Sequence, residues 1–502
     1  MSPLRRLAGQ TAIYGLSSII GRVMNFLLTP LYTRVFLKED YGIVTELYAY
    51  VAFLIVFLTY GMETAFFRFG SKCKSESERN KVFSTAFISV LTTAILFIAL
   101  ISASLESVAS LMGYENNPEY ILYFAWIIGL DAMVTIPLAK LRMANKPVNF
   151  AVVNLASVIL NIGLNLFFIL YCPYAMANPE VLGGEWVSQY YNPAIGIGYI
   201  FVANLASSIL KFVLLLPAMI DLKFGFDFAL WKRLMPYALP LLFLGLAGIV
   251  NETFDRAFFG DISGLPKIIA DKELGVYGAC YKVAMLLSIG IQAYRFAAEP
   301  FIFSMAADQN RDRSQATIMK FYFIVACFIA LVILCFLDVA LLLIGEEYRE
   351  GKGVIPILLL AYIFFGAFFN LSFWYKLNDK TIYGAFIAAA GAVITVLTNL
   401  LLVPLYSYYG AAIATLLAYA AMAILSFILG QKKHAVPYDT KKILIILLAA
   451  IALYAPNFLL QLSGWSKYVL ASMSVISFAV FILISEKELL NKLKNVSSRN
   501  NK

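Results

Sequence analysis

Arginine residues inside apolar stretches are the groups of this 502-residue chain with the clearest chemical meaning. The first such stretch, residues 11–36, holds Arg22 near its middle and Arg34 near its end. An arginine at the centre of a membrane helix costs about 2.5–3.5 kcal/mol on insertion scales, so it normally faces a wet cavity or a partner. Polar residues at helical spacing share one face with Arg22: Tyr14, Ser18, Asn25, Thr29 and Thr33. We expect a cationic groove for an anionic head group. The alternative is an arginine paired with a carboxylate.

The backbone of this stretch is expected to bend just after Arg22. Pro30 cannot donate the hydrogen bond that a helix would direct to the carbonyl of Phe26. A proline inside a helix therefore produces a kink.

Further residues within apolar stretches extend the predicted groove. The additional cations are Lys211, Arg256, Lys282 and Arg295, and the polar residues assigned to the same cavity are Asn25, Asn161, Gln292 and Tyr281. Guanidinium groups bind phosphate oxygens through paired, charge-assisted hydrogen bonds, which suits a pyrophosphate. Rows of Asn and Ser are also typical of hydrogen bonds between membrane helices. Self-neutralisation is the alternative for Arg295 with Glu299 and for Arg256 with Glu252, since each pair lies one turn apart.

The composition explains which elements must position these residues. Hydrophobic residues make up 61% of the chain and charged residues 14%, and the mean hydropathy is +0.80. This balance is far from that of a soluble domain, and apolar runs long enough to span a bilayer recur along the chain. The first run lacks a small-residue cleavage site, so we interpret it as an uncleaved helix. The predicted fold class is an all-α polytopic membrane protein.

The predicted topology has about 14 transmembrane helices, beginning with 11–36 and ending with 443–461 and 467–485. With both termini in the cytoplasm, most of the 39 lysines and arginines fall in cytoplasmic segments. This bias predicts the orientation and accounts for the net charge of +9 without a nucleic-acid partner.

Weak internal similarity indicates a duplication. Segment 34–42 is echoed at 256–275, and segment 165–198 is echoed at 399–412. We predict an N-terminal lobe over 1–234, a C-terminal lobe over 235–434, and two extra helices with a cytoplasmic tail over 435–502. Lobes of six helices each would be parallel repeats, with a substrate site between them. Chance similarity among apolar helices is the alternative.

Several short patterns, taken with this organisation, resemble a known family. They are Gly15, Gly21-Arg22 and Pro30-Leu-Tyr-Thr-Arg34 at the start, and Asn399, Pro404-Leu-Tyr406 and Gly410-Ala-Ala412 later. The chain is similar to the polysaccharide transporters, or Wzx-type flippases, of the multidrug/oligosaccharidyl-lipid/polysaccharide (MOP) exporter superfamily. The resemblance implies essential cations in the N-terminal lobe cavity and on the second helix of the C-terminal lobe, where Arg22 and Arg295 lie.

The resemblance also implies a function. It implies a flippase that moves undecaprenyl-pyrophosphate-linked oligosaccharide repeat units to the outer leaflet of the bacterial cytoplasmic (inner) membrane by alternating access. The products would be O-antigen of lipopolysaccharide, capsule or exopolysaccharide. The implied partners are that glycan lipid, membrane lipids and other polysaccharide-assembly proteins. No cofactor and no metal are expected.

The driving force has two candidates. Moving one negative charge to the positive side of the membrane is favourable by about 2.3 kcal/mol per 100 mV, so the membrane potential alone could suffice. Coupling to H⁺ or Na⁺ would need a carboxylate, and the candidates are Asp131, Glu46 and Asp255. Pairing with a neighbouring cation is the alternative for Asp131.

Enzymatic chemistry finds little support in the sequence. The five cysteines form no C-x-x-C spacing, and His434 is the single histidine. We therefore predict that the chain is not an enzyme. The rival interpretations are a drug/cation antiporter or a lipid II flippase of the same fold and, in another class, a membrane-embedded sugar polymerase or ligase.

Overall fold

The computed structural model describes residues 20–21, 23–24, 26–220, 225–304, 310–378, 380–460 and 463–486. Over these residues the chain is helical and contains no strand. The helices in chain order are α1 Thr29–Val35, α2 Lys38–Thr59, α3 Met62–Gly70, α4 Glu76–Ala103, α5 Leu105–Leu111, α6 Pro118–Met143, α7 Pro147–Leu166, α8 Cys172–Ala177, α9 Gly184–Tyr190, α10 Gly198–Met219, α11 Phe228–Ala257, α12 Phe259–Ser263, α13 Lys267–Ser304, α14 Arg311–Cys335, α15 Leu337–Ala340, α16 Val354–Leu371, α17 Phe373–Lys376, α18 Ile382–Lys433, α19 Thr440–Leu460 and α20 Gly464–Ser485. A π-helical turn, Phe167–Tyr171, joins α7 to α8, and 3₁₀ turns cover Pro193–Ile195, Leu341–Leu343 and Glu346–Gly353.

Twelve helical segments of the described chain are long and apolar enough to cross a membrane. They are α2, α4, α6, α7 with α8, α10, α11, α13, α14, α16 with its flanking turns, α18, α19 and α20. The predicted all-α polytopic class is thereby confirmed.

The predicted count of 14 spans is not confirmed by this number. The first predicted span, 11–36, lies mostly outside the described residues. Helix α18 contains 52 residues, about 78 Å at 1.5 Å per residue, which exceeds twice the thickness of a bilayer core. Its backbone is non-helical at Ser407 (φ 50°, ψ −133°). We interpret α18 as two helices joined at this residue.

The sequence explains where many of these helices begin and end. Helix α4 follows Ser75, whose hydroxyl accepts a hydrogen bond from the backbone N–H of Glu78 at 3.2 Å. Prolines occupy the first position of α6 and α7, where a helix needs no N–H donor. Helix α2 ends where Tyr60 and Gly61 take left-handed conformations, so the chain turns directly into α3.

Packing divides the chain into two compact units. Unit 1 takes Met1–Ala279, Glu346–Tyr348 and Ala392–Ala411. Unit 2 takes Cys280–Gly345, Arg349–Gly391 and Ala412–Lys502. The lobes expected from the sequence, 1–234 and 235–434 with an extra 435–502, stay a prediction.

Helices α2 and α13 cross within unit 1 at glycines. A Cβ atom at Gly42 would fall on the backbone carbonyl of Asp271, and one at Gly275 would fall on the carbonyl of Lys38. Small residues at a crossing allow two helix backbones to touch, as is common in membrane proteins. The crossing brings the first turns of α13 against the first third of α2.

The two C-terminal helices of unit 2 are bound to α14 through one buried carboxylate. Helix α19 buries only Ile446, so most of its surface is left for lipid. Glu486, just after α20, is 4% exposed and lies 2.6 Å from the Lys320 ammonium of α14 and 2.7 Å from the Lys442 ammonium of α19. Two cations therefore share a single anion.

Candidate functional site

Two of the residues predicted for the groove, Arg22 and Asn25, lie outside the described residues. Regular helix is interrupted at residues 27–28, and α1 then begins with Pro30 in its first turn. Arg34 is exposed in the last turn of α1 and donates a hydrogen bond to the carbonyl of Pro30 at 2.9 Å. A basic residue at this end of a helix stabilises the terminal carbonyls.

Lys211 of α10 and Asp131 of α6 form an ion pair inside unit 1. The ammonium lies 3.2 Å from Oδ1 of Asp131, and the Ser208 hydroxyl donates to the same oxygen at 3.2 Å. One helical turn earlier on α10, Asn204 donates to the phenol oxygen of Tyr48 at 2.6 Å. Lys211, a predicted substrate cation, and Asp131, a predicted coupling carboxylate, therefore contact each other. Each charge is partly neutralised by the other.

Arg256 and Asp255 near the end of α11 form a second close pair of opposite charges in unit 1. Arg256 is 8% exposed, and its Nε lies 3.8 Å from Oδ1 of Asp255. Its Nη2 also donates to the backbone carbonyl of Glu252. The Tyr277 hydroxyl donates to the other oxygen of Asp255 at 2.5 Å. The arginine thus contacts Asp255 and a carbonyl, whereas the sequence suggested the carboxylate of Glu252.

The row of amides on α7 takes part in hydrogen bonds between and within helices. The Asn165 amide donates to the backbone carbonyl of Asn161 at 2.8 Å and to its side-chain oxygen at 3.1 Å. Tyr32 of α1 donates to the side-chain oxygen of Asn165 at 2.8 Å. Between Tyr32 and Asn165, the interhelical hydrogen bonding that the sequence left open is present, whereas the bonds of Asn165 to Asn161 lie within α7.

Glu46 of α2 is a buried candidate coupling carboxylate that contacts both a cation and a phenol. It is 4% exposed, accepts a hydrogen bond from the Tyr114 hydroxyl and pairs with the Lys267 ammonium. Lys267 also pairs with Asp271, one turn along α13, at 3.0 Å. Burial and the neighbouring carboxylate raise the pKa of Tyr114 well above its ordinary value, so its phenol stays protonated and donates.

Lys267, Tyr114 and Asp271 are residues that sequence reasoning missed. The i,i+4 spacing of Lys267 and Asp271 was a readable signal for a helical ion pair. No local pattern indicates the contact with Glu46, since the two residues are separated by 221 positions.

A cavity of about 660 Å³ opens beside Glu46 in unit 1. Its polar end is formed by Glu46, Lys267 and Asp261, and the Tyr50 hydroxyl donates to Asp261 at 3.5 Å. Its remaining wall is mostly aliphatic and aromatic and comes from α2, α4, α5 and α6. The cavity is amphipathic.

Arg295 of α13 lies in unit 2 in a different environment. Its guanidinium carbon is 3.3 Å from the centroid of the Phe369 ring of α16, and the Lys376 ammonium of α17 is 4.4 Å from the same centroid. The next residues continue the contact, because the Tyr294 hydroxyl donates to Asn370 at 2.7 Å. Arg295, Phe369 and Lys376 are all partly exposed. We call these three residues the cationic cluster.

The remaining predicted residues of α13 also belong to unit 2. Tyr281 is 7% exposed and packs edge-on against the ring of Tyr362, with centroids 5.9 Å apart. Lys282 and Gln292 are partly buried on the same helix. The structure therefore places Lys282, Gln292 and Arg295 along one long helix.

Chemically, the cationic cluster is suited to an anion. An arginine stacked on a ring through its face keeps its N–H groups in the guanidinium plane, where they can form two parallel bonds to a phosphate. Within the described residues, no group of three or more His, Cys, Asp or Glu side chains is arranged to hold a metal ion.

Comparison with known proteins gives the family and the fold. Residues 7–306 match the model of a family described as polysaccharide biosynthesis protein. No curated protein sequence matches the chain.

Solved structures with the same fold are transporters and flippases of the MOP superfamily. A lipid II flippase, MurJ, in an inward closed conformation matches with a TM-score of 0.73 and 14% identity over 95% of this chain and 99% of its own. An inward-facing multidrug resistance transporter of the MATE family matches at 0.63 and 14% identity, over 84% and 98%. A MOP superfamily transporter from Pyrococcus furiosus matches at 0.56 and 12% identity, over 86% and 98%. These similarities show that this chain shares the fold of known transporters and flippases.

Proposed function

Because this chain belongs to the polysaccharide biosynthesis protein family, we propose that it is a flippase for undecaprenyl-pyrophosphate-linked oligosaccharide repeat units. It would move these lipids from the cytoplasmic to the outer leaflet of the bacterial cytoplasmic membrane by alternating access. The product would serve synthesis of a cell-surface polysaccharide such as O-antigen, capsule or exopolysaccharide. The multi-pass helical fold and the flippase among its structural neighbours support this proposal.

The observation that carries the substrate assignment is the cationic cluster of unit 2. Arg295 and Lys376 both lie against the Phe369 ring, so two positive charges converge on one partly exposed place. A pyrophosphate carries several anionic oxygens and would bind two such cations through charge-assisted hydrogen bonds.

The membrane potential is the driving force we propose. Outward movement of a doubly charged pyrophosphate would gain about twice 2.3 kcal/mol per 100 mV, given a potential that is positive outside. The contacts of the carboxylates support this choice over H⁺ or Na⁺ coupling, because Asp131, Asp255 and Glu46 lie beside Lys211, Arg256 and Lys267 respectively. Both termini would be cytoplasmic.

The test is the leaflet on which the lipid-linked oligosaccharide accumulates. A host that lacks the gene should accumulate the glycan lipid in the inner leaflet, measured by its protection from a glycan-modifying enzyme added outside. Wild type should restore outward movement, and Arg22→Ala or Arg295→Ala should not. Lys467→Ala is a matched control, because this lysine pairs with Asp338 away from the cationic cluster. Full rescue by Arg295→Ala would overturn the assigned site, and absence of any accumulated glycan lipid would overturn the function.

The same experiment distinguishes a second candidate substrate, lipid II. The flippase among the structural neighbours favours it, because that structure covers 95% of this chain. Accumulation of lipid II in place of a polysaccharide precursor in the deletion host would select this candidate.

A further inference from the structure

The amphipathic cavity of unit 1 is not used by the proposed transport of an anion. It has about 660 Å³, within the range of roughly 300–1,000 Å³ that small-molecule sites occupy. We propose that it binds the ammonium head group and one acyl chain of an aminophospholipid. The proposal does not depend on the proposed function.

The charge of the polar end selects the head group. Glu46 and Asp261 face the cavity with Lys267, and Asp271 contacts that lysine from behind, so four groups carry a formal charge of −2. Asp261 is exposed and is held by a long hydrogen bond of 3.5 Å from Tyr50, which leaves carboxylate oxygen lone pairs for an ammonium. Lys267 keeps a third of its side chain exposed and can meet the phosphate of the same lipid.

The apolar wall extends along α2 away from the charged end of the cavity, as an acyl chain extends away from its head group. Glu46 is in the first half of α2 and Leu54, which also lines the cavity, is eight residues further along, about 12 Å by helical rise. Phe97 of α4 and Ile128 of α6 continue the wall. Besides Glu46, the charged residues come from α12 and the start of α13, so charge and apolar surface are separated as they are in a phospholipid.

Titration of purified full-length protein with two lipids of equal chain length tests the proposal. Native mass spectrometry in detergent would measure binding of phosphatidylethanolamine, which has an ammonium, and of phosphatidylglycerol, which has none. We expect phosphatidylethanolamine to bind about tenfold more tightly, the scale of one charge-assisted hydrogen bond. Equal affinities for the two lipids would overturn the proposal.

Two variants test the charged end and the apolar wall of the cavity separately. Asp261→Asn should weaken phosphatidylethanolamine binding about tenfold and leave phosphatidylglycerol unchanged. Val108→Trp, which fills the cavity from α5, should weaken both lipids. Glu106→Gln on the same short helix lies off the cavity lining and is the control. Thermal unfolding of each variant verifies that it is folded.

Unchanged phosphatidylethanolamine binding in both Asp261→Asn and Val108→Trp would contradict the assigned cavity. Dodecylamine is a third ligand for the binding measurement, since it carries an ammonium and one alkyl chain but no phosphate. Binding of dodecylamine without binding of phosphatidylethanolamine would show a site for free amines and overturn the lipid assignment. None of these measurements requires transport of a glycan, so a failure of the flippase proposal would leave them interpretable.

Discussion

The cations of unit 1 and those of the cationic cluster in unit 2 contact different kinds of side chain. In unit 1, Lys211, Arg256 and Lys267 each lie within 4 Å of a carboxylate oxygen. In unit 2, Arg295 and Lys376 lie against the face of Phe369. A carboxylate neutralises a buried cation, whereas attraction to an aromatic face contributes about 0.5–2 kcal/mol. Intramembrane charge alone is therefore a poor guide to a substrate site, and the type of neighbouring group adds information.

The largest effect should come from Arg295→Ala. Removing one partner of a desolvated, hydrogen-bonded charge pair costs about 2–5 kcal/mol, so we expect outward movement of the glycan lipid to slow about a thousandfold. A flipping assay in proteoliposomes would measure the rate. Arg295→Lys keeps the positive charge but loses the planar guanidinium that forms two parallel hydrogen bonds. This variant should therefore recover only part of the wild-type rate. If Arg295→Ala kept a normal rate, the contrast between the two units would have no functional meaning.

The next effect concerns stability and comes from Lys267→Met. This change leaves Glu46 buried beside Asp271 without its cation, at a cost of about 3 kcal/mol, the low end for such pairs because Lys267 is a third exposed. Unfolding in detergent, followed by circular dichroism against temperature or denaturant, would measure the loss. The triple change Glu46→Gln, Asp271→Asn and Lys267→Met should restore most of it, since all three charges of the cluster are then removed. A triple variant as unstable as the single one would contradict ion pairing as the cause.

A smaller loss is expected from Gly42→Ala at the crossing that brings Lys267 to Glu46. The new methyl group would meet the carbonyl of Asp271, and overpacking of this kind costs about 1–3 kcal/mol, offset by about 1 kcal/mol of helix propensity. The same unfolding measurement applies. Gly163→Ala is the control, because a Cβ atom there meets nothing within 4 Å. Equal stability of the two alanine variants would argue against a close crossing.

The smallest effect should come from Lys211→Gln. The pair with Asp131 is partly exposed, at 21% and 28% of the side chains, and such pairs contribute about 0.2–1 kcal/mol. We expect glycan-lipid movement to stay within about twofold of wild type, because this cation already has an anionic companion. A loss of transport as large as that of Arg295→Ala would place Lys211 in the substrate path after all.

The sequence was sufficient for the helices and insufficient for the charge pairs. Hydropathy located the apolar segments because a bilayer imposes a length of about 20 residues on each. Side-chain pairing depends on helix rotation, which a weak amphipathic pattern does not define. Asp131 with Lys211 and Glu46 with Lys267 join residues separated by 80 and 221 positions.

Arg295 illustrates what could be predicted. Its charge within an apolar run identified it as unusual, and the polar residues Gln292 and Lys282 marked the same helix. The aromatic companion Phe369 and the second cation Lys376 could not be identified, because both are brought to Arg295 by the packing of α16 and α17. Phenylalanine in an apolar run carries no signal of its own.

The carboxylate of Glu486 makes the end of the chain indispensable to unit 2. Truncation ahead of this residue would leave the ammonium groups of Lys320 and Lys442 facing each other in an apolar setting without the anion they share. Repulsion between them would push α19 away from α14, so premature termination here would act as a folding defect, although almost every helix is already present.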